Sequence, residues 1–249
     1  MVQILRRIVS SANYRFKRWK LGLNPTTDLP NSLGACIAGR NVNLIFPTEE
    51  RQVFAHEFCK ILLEDCYGLG QIRQKIGTVL DIGANLGLFS LAARHQFPKA
   101  VIHAYEPNEQ LDTYLRSNLR PFQVDVHMEA LGPAAGRVRL NYLENSLHTV
   151  SISDPGGNVA QVTLEQAMAR LGGRVDLLKL DCEGAEWSLF DSGDVWQKIG
   201  CLTMEYHLWA KPHARLEDLT KILRNLGFPA IKTFPSEKES FGVLWASRL

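Results

Sequence analysis

The sequence lacks any apolar run approaching the roughly 20 residues that a membrane-spanning helix needs, so no span is expected. It also lacks a C-x-x-C pair, and its five cysteines (Cys36, Cys59, Cys66, Cys182 and Cys201) are odd in number. That argues against a disulfide framework and a zinc knuckle, and it sets a reducing, cytoplasmic compartment as the expectation. Charge of one sign is scarce too: a net charge of +2 over 249 residues gives no field that would gather nucleic acid. Internal repeats and low-complexity tracts are missing. What remains is 45% hydrophobic and 22% charged, enough apolar material for one sizeable α/β core.

One local bias stands out at the N-terminus. Arg6, Arg7, Arg15, Lys17, Arg18 and Lys20 fall in the first twenty residues with no acid among them. Ile4, Leu5, Ile8, Val9 and Ala12 share one helical face. Two readings stay open: a basic amphipathic arm making peripheral contact with a membrane surface or an acidic partner, or a terminal helix packed on the body. A secretory signal is not expected, because the basic residues recur throughout. Turn formers over residues 24–31 end the arm. A short strand is expected over 43–46, and Thr48 is placed to cap a following helix. That helix carries Val53, Phe54, Glu57, Phe58, Ile61, Leu62 and Asp65 at helical spacing. Residues 1–75 therefore read as a basic arm and helical cap, and 76–249 as the main domain.

From residue 77 strands and helices alternate, the signature of a parallel sheet. Strands are expected over 78–82, 101–106, 124–129, 175–181 and 201–207. Helices are expected over 86–97, 109–119, 164–171, from about 185, and over 216–226. Segments 137–143 and 148–153 read as an inserted antiparallel hairpin. The last two strands, 230–234 and 241–246, are too close for an intervening helix and predict an antiparallel hairpin at the sheet edge. The expected class is α/β, a Rossmann-like, mostly parallel sheet with a helical N-terminal extension.

The stretch VLDIGANLGLFS is the most informative. A buried strand ends at Asp81, and Gly83 and Gly87 bracket a tight turn before an amphipathic helix. The G-x-x-x-G spacing departs from the G-x-G-x-x-G of dinucleotide sites. A pyrophosphate needs that tighter loop, whereas an amino-acid moiety needs a carboxylate near its ammonium, which Asp81 offers. Ala84 and Asn85 lie inside the turn. About twenty residues on, Glu106-Pro107-Asn108 ends the next strand, where a carboxylate accepts both hydroxyls of a ribose. Glu129 and Ala130 end the third strand, where an adenine would lie.

The fourth strand ends in Asp181-Cys182-Glu183-Gly184, and the fifth carries Glu205 and His207. Alternation puts Lys179 and Asp181 on one face. A lysine inside a central strand needs a paired carboxylate or solvent access, and Asp181 or Glu205 could serve as the carboxylate. Cys182 has no motif around it and reads as a packed thiol. His56, His95, His103, His127, His148 and His213 also lack motif context and read as structural.

Three segments resemble the FkbM family of S-adenosylmethionine methyltransferases: VLDIGANLGLFS (79–90), YEPNEQ (105–110) and VDLLKLDCEGAEWSLF (175–190). The LKLDCEGAE stretch discriminates, since many methyltransferases share the first motif. The resemblance runs from about residue 45 to the C-terminus. It implies a class I methyltransferase sheet, S-adenosylmethionine as cofactor, and a hydroxyl acceptor on a sugar or natural product. It also implies that Asp81, Gly83, Asn85 and Gly87 hold the methionine end, Glu106 the ribose, and that Asp181 and Glu183 lie near the methyl group. Transfer to a hydroxyl needs a positioned acceptor and a base, and Asp181, Glu205 and His207 are the candidates. The same three would also serve a divalent metal, though no ligand spacing demands one.

Three other readings were weighed. Base-methylating enzymes commonly carry an Asp/Asn-Pro-Pro-aromatic turn where this chain has Asp181-Cys182-Glu183-Gly184, and an acidic site repels phosphate. A nicotinamide-dependent dehydrogenase is opposed by the glycine spacing. A non-catalytic adenosylmethionine-binding module would tolerate replacement of Asp181, Glu205 and His207.

Overall fold

The computed structural model describes residues 33–142, 149–236 and 240–248. The basic arm and the tip of the inserted hairpin lie outside the described residues. The first elements are a hairpin of β1 (Leu33–Ile37) and β2 (Arg40–Leu44), joined by Ala38 and Gly39, both at positive φ. Two consecutive positive-φ residues make the turn that matches strand twist. The strand expected over 43–46 thus ends at Leu44 and pairs with a partner that the sequence did not announce. Helix α1 (Arg51–Phe58) continues through a π-helical turn over Cys59–Leu63. Thr48 does not cap it: a 3-10 turn over Thr48–Glu50 leads in, with no side-chain cap.

The alternating region follows: β3 (Thr78–Ile82), α2 (Leu88–Gln96), β4 (Val101–Tyr105), α3 (Asp112–Leu119) and β5 (Asp125–His127). A small sheet comes next, from β6 (Ala130–Leu131), β7 (Gly136–Tyr142), β8 (Thr149–Ser153) and β9 (Val159–Val162). The chain returns through α4 (Leu164–Ala169), β10 (Val175–Leu180), the one-turn α5 (Glu186–Leu189), β11 (Ile199–His207), α6 (Leu216–Asn225), β12 (Ala230–Pro235) and β13 (Phe241–Ser247). The strand expected over 124–129 is split: β5 ends at His127 and Ala130 pairs in the small sheet. Strands β7 and β8 form the expected inserted hairpin, with β9 added on the other side of β7.

The main sheet has seven strands in the order β12-β13-β11-β10-β3-β4-β5. Only β13 runs against its neighbours, so it is the antiparallel member of the edge hairpin. The strand order reverses between β3 and β10, the switch point at which open α/β sheets bind ligands. Alternation along the strands divides the core between two faces. Val79, Leu177 and Cys201 pack with α1, α2, α3 and the β1–β2 hairpin. Leu80, Leu178 and Leu202 pack with α4, α6 and Trp196 on the other face. Burial on both faces explains the near-continuous apolar reading of these strands.

Asn118 of α3 fastens the N-terminal segment to this body. It is buried, accepts from the Ile45 amide at 2.9 Å, and donates to the Ile45 and Leu86 carbonyls at 3.0 Å each. None of the described helices is long and apolar enough to cross a membrane.

Candidate active site

The turn after β3 is stitched to both neighbouring strands. The Gly83 and Ala84 amides donate to the Tyr105 carbonyl at 2.9 Å, and the Asp181 amide donates to the Ile82 carbonyl at 3.1 Å. Gly83 sits at φ +76°, and a Cβ there would lie 1.7 Å from the Asp181 carbonyl oxygen. Only glycine permits that approach. Asn85 follows at φ +52°, its amide donating to Glu106 Oε2 at 2.8 Å.

Above this turn lies a cleft that is partly open to solvent. Gly83, Ala84 and Asn85 line it, as do Glu106, Pro107, Glu129, Ala130, Asp181, Glu183 and Glu205. These sequence-predicted residues are therefore brought together. Asp81, Gly87, Asn108 and His207 are not in the lining. Asp81 is fully buried one layer behind, accepting from Ser90 Oγ at 2.6 Å with Lys179 Nζ 3.3 Å from its other oxygen. Gly87 starts α2 at φ +85° against Leu119. Asn108 is buried and caps the next turn, accepting from the Gln110 amide at 3.1 Å.

Glu106 is 5% exposed, and its two oxygens accept from the Asn85 amide at 2.8 Å and the Asn108 amide at 2.9 Å. Each carboxylate oxygen keeps a further lone pair. Burial pushes this carboxyl up to about 7, against the lowering effect of those amides and of Lys179. Glu129 is held by both terminal nitrogens of Arg170, which also donates to the Tyr105 hydroxyl at 3.1 Å.

The other end of the cleft is acidic. Lys179 is 3% exposed, with Asp181 Oδ2 3.6 Å away, and it donates to the Gly83 carbonyl. Burial alone would lower its pKa, but Asp81 and Asp181 outweigh that and keep the ammonium charged. The expected partners of Lys179 were Asp181 or Glu205; the structure gives Asp181 together with Asp81. Glu205 is raised to about 8 by burial and by Asp181, with His207 opposing. Cys182 lines the wall with its thiol pushed well up by burial and by Glu186, consistent with a packed thiol.

His207 differs from its reading as a base. Its Nδ1 and its amide both meet Glu186 Oε1 at 3.0 Å, and its Nε2 lies 3.5 Å from Glu183 and 3.8 Å from Glu205. Burial would lower the imidazole, yet the Glu186 hydrogen bond and charge, with Asp181 and Glu183, raise it to about 9. At neutral pH it is a cation and has no lone pair to accept a proton. The metal reading grouped Asp181, Glu205 and His207. The geometry instead brings single atoms of Asp181, Glu183 and His207 within 4.8 Å of one another.

Sequence reasoning missed Tyr67, Glu57 and Glu186. Tyr67 lines the cleft and donates to Asp181 Oδ2 at 2.9 Å, while Thr203 Oγ1 donates to the Tyr67 carbonyl at 2.9 Å. Glu57 reaches the cleft from α1, and the signal was an acid on the apolar stripe of that helix. Val53, Phe54 and Ile61 of the N-terminal segment and Thr149 and Ser151 of the inserted hairpin also line the cleft.

A doubly wound sheet of this order, with a glycine turn and an acid at the end of the adjacent strand, defines a class I methyltransferase fold. Residues 81–229 match the Methyltransferase FkbM domain, over half of the chain. The chain belongs to the FkbM methyltransferase family. It is 25% identical over 210 residues to methyltransferase sdnD of Sordaria araneosa, covering 68% of this chain and 80% of that one. It is 32% identical over 106 residues to the AMB antimetabolite synthetase AmbE of Pseudomonas aeruginosa, covering 42% of this chain but 4% of that protein. The fold is similar to the crystal structure of the FkbM methyltransferase of Methylobacillus flagellatus, with a TM-score of 0.50 at 12% identity, over 98% of this chain and 60% of that one.

Family and fold imply S-adenosylmethionine as methyl donor, and the residues present fit it. A buried carboxylate with a lone pair left on each oxygen suits a vicinal diol. The acidic far end suits a sulfonium.

Proposed function

We propose that the protein is an S-adenosylmethionine-dependent O-methyltransferase whose acceptor is a hydroxyl of a small molecule, a sugar or a natural product. The observation that carries this reading is Glu106. A carboxylate so deeply buried, with two oxygens pre-set by backbone amides inside an open cleft at the switch point, is built for a diol. In this reading Gly83, Ala84 and Asn85 face the methionine end, with Asp81 and Gly87 holding the turn from behind. Pro107 and Asn108 keep Glu106 in place, and Glu129 and Ala130 border the adenine.

The bound cofactor supplies an electrophilic methyl group on sulfur. Asp181, Glu183 and Glu205 surround the reacting end, where their charge favours a cation and an acceptor hydroxyl hydrogen-bonds to one of them. A base works best with a pKa near the operating pH. Glu205, raised to about 8 and lining the cleft, meets that condition and would take the proton of the acceptor hydroxyl, while the bound cofactor would supply the methyl group by breaking its sulfur–methyl bond and leave as S-adenosylhomocysteine. Tyr67 holds Asp181 in place, and Glu186 holds His207 as a fixed positive charge behind Glu183 and Glu205.

A nucleic-acid substrate is disfavoured because phosphates would meet this acidic wall. A cytoplasmic location belongs to the same proposal. The test is incubation with S-adenosylmethionine and a panel of hydroxylated sugars and natural products, with product analysis by mass and by NMR of the new methyl group. A methoxy product supports the reading. Methylation on carbon or nitrogen alone, or binding without turnover of any acceptor, overturns it.

A further inference from the structure

A chain of polar contacts runs from Asp125 to the cleft-lining Glu129 through groups that the reaction does not use. His103 Nε2 lies 3.1 Å from Asp125 Oδ2, and His103 Nδ1 lies 3.3 Å from His127 Nε2. His127 Nδ1 in turn lies 3.2 Å from a terminal nitrogen of Arg170. That nitrogen also donates to the Tyr105 hydroxyl at 3.1 Å and to Glu129 Oε2, and the other terminal nitrogen donates to Glu129 Oε1 at 3.2 Å. His103 and Tyr105 come from β4, Asp125 and His127 from β5, and Arg170 from the C-terminal end of α4. His127 stacks on Tyr105, with ring centroids 4.5 Å apart. Both Tyr105 and Glu129 line the cleft.

The groups at the two ends fix every proton in the chain. Arginine only donates, and an ionised carboxylate only accepts. His127 therefore offers a bare Nδ1 to Arg170 and carries its hydrogen on Nε2. That hydrogen goes to a bare Nδ1 of His103, whose own Nε2–H goes to Asp125. Both rings are neutral in this arrangement, and a proton added to either Nδ1 would meet a donor. Burial lowers both imidazoles below the usual 6.5, outweighing the pull of Asp125 on His103, while His103 and Arg170 lower His127 further.

A carboxylate gripped by both terminal nitrogens of one guanidinium has a fixed plane, and each of its oxygens keeps a further lone pair. We infer that Arg170, oriented by His127 and Tyr105, is a positioning residue that sets Glu129 as an acceptor for the amino group of adenine, so that the cleft selects an adenosine cofactor over an inosine one. The inference rests on the reading that puts the adenine beside Glu129. The adenine amino group donates, whereas hypoxanthine has a carbonyl oxygen in its place, which would face the carboxylate with no hydrogen between them. The neutral state of the imidazoles is part of the device. A protonated His127 would turn a donor toward Arg170 and set two cations side by side. An ion pair with a purely structural role would hold the loop without regard to which base is bound.

The experiment titrates the full chain with S-adenosylhomocysteine and with its deaminated form, S-inosylhomocysteine, and compares the two affinities. The wild type is expected to prefer the adenine form by roughly ten-fold or more. Arg170→Gln should bring that ratio down toward one. Glu129→Gln, whose amide can donate to the hypoxanthine oxygen, should lower it as well, and it carries the comparison if Arg170→Gln does not fold. A fall in both affinities with the ratio unchanged would show a merely structural role and overturn the inference. So would a wild-type ratio near one. The chain itself is read without ligand, by ¹⁵N NMR of the imidazoles at pH 6.5, the ordinary midpoint of histidine. Both His103 and His127 should be neutral there with the hydrogen on Nε2. A protonated ring, or a hydrogen on Nδ1, would overturn the assignment. Failure of S-adenosylhomocysteine to bind the wild type would instead remove the cofactor reading, and this inference with it, whatever the imidazole spectra show.

Discussion

The Tyr67 hydroxyl donates to Asp181 Oδ2 at 2.9 Å, joining the N-terminal segment to the acid that follows β10. Tyr67 lies outside the span matched by the family, residues 81–229, so the reacting end is finished by a part of the chain that the family match does not include. Burial, with Asp181 and Glu205 nearby, holds the phenol well above its ordinary range, so it remains a donor.

Tyr67→Phe removes that donor and little else. A hydrogen bond to a charged group is worth about 1.5–3 kcal/mol, so kcat should fall by roughly ten-fold or more while the affinity for S-adenosylhomocysteine stays near that of the wild type. Steady-state kinetics beside calorimetry separates the two. An unchanged kcat would show that Asp181 needs no such anchor.

Glu205→Gln and Asp181→Asn probe the base. Loss of a general base lowers turnover by about 10²–10⁴-fold, and both variants should retain cofactor binding. The wild-type profile of kcat/KM should rise with pH through about 8, because the Glu205 carboxyl must lose its proton to act. In Glu205→Gln that rise should disappear. A rise that survives moves the base elsewhere.

The ion pair between His207 and Glu186 carries a pH signature in stability. The imidazole is raised from 6.5 to about 9, so its contribution is complete below 6.5 and is lost as pH climbs through about 9. Glu106 and Glu205, raised to about 7 and about 8, add in the same direction, since each folded carboxyl holds its proton longer than the unfolded one. Denaturant unfolding of the ligand-free protein should therefore show a loss on the order of a few kcal/mol between pH 6.5 and 9.5. Glu186→Gln should make the slope shallower. Rising stability over that range would refute the assignment.

Gly83→Ala should cost on the order of 3 kcal/mol or more, through a positive φ and a Cβ forced against the Asp181 carbonyl. Chemical denaturation measures it. A mild effect would mean that the turn and β10 separate more easily than their hydrogen bonds suggest.

Much of this architecture was legible because it depends on short-range patterns. The strand-helix alternation, the glycine turn at Gly83 and the acid Glu106 at a strand end each leave a local mark. The β1–β2 hairpin did not, because its two-residue turn is Ala38-Gly39 rather than the Asn-Gly that announces such turns. The role of His207 was hidden for a different reason. Its protonation is set by Glu186, which lies 21 residues away in sequence and comes into contact only through the fold. Lys179 shows the intermediate case: the need for a partner was readable from a lysine in a central strand, but the buried Asp81 came from another strand. Asp81 itself read as a ligand contact and lies behind the wall, since one strand residue decides between facing the cleft and facing the core.

The most direct test of the account is calorimetric titration of the full chain with S-adenosylhomocysteine, alongside NAD, repeated on Glu106→Gln. The account predicts saturable one-site binding of S-adenosylhomocysteine, none of NAD, and affinity weakened by roughly ten-fold or more in the variant, where an amide replaces an acceptor of the ribose diol. Binding of NAD without S-adenosylhomocysteine, or equal affinity in wild type and variant, would contradict it.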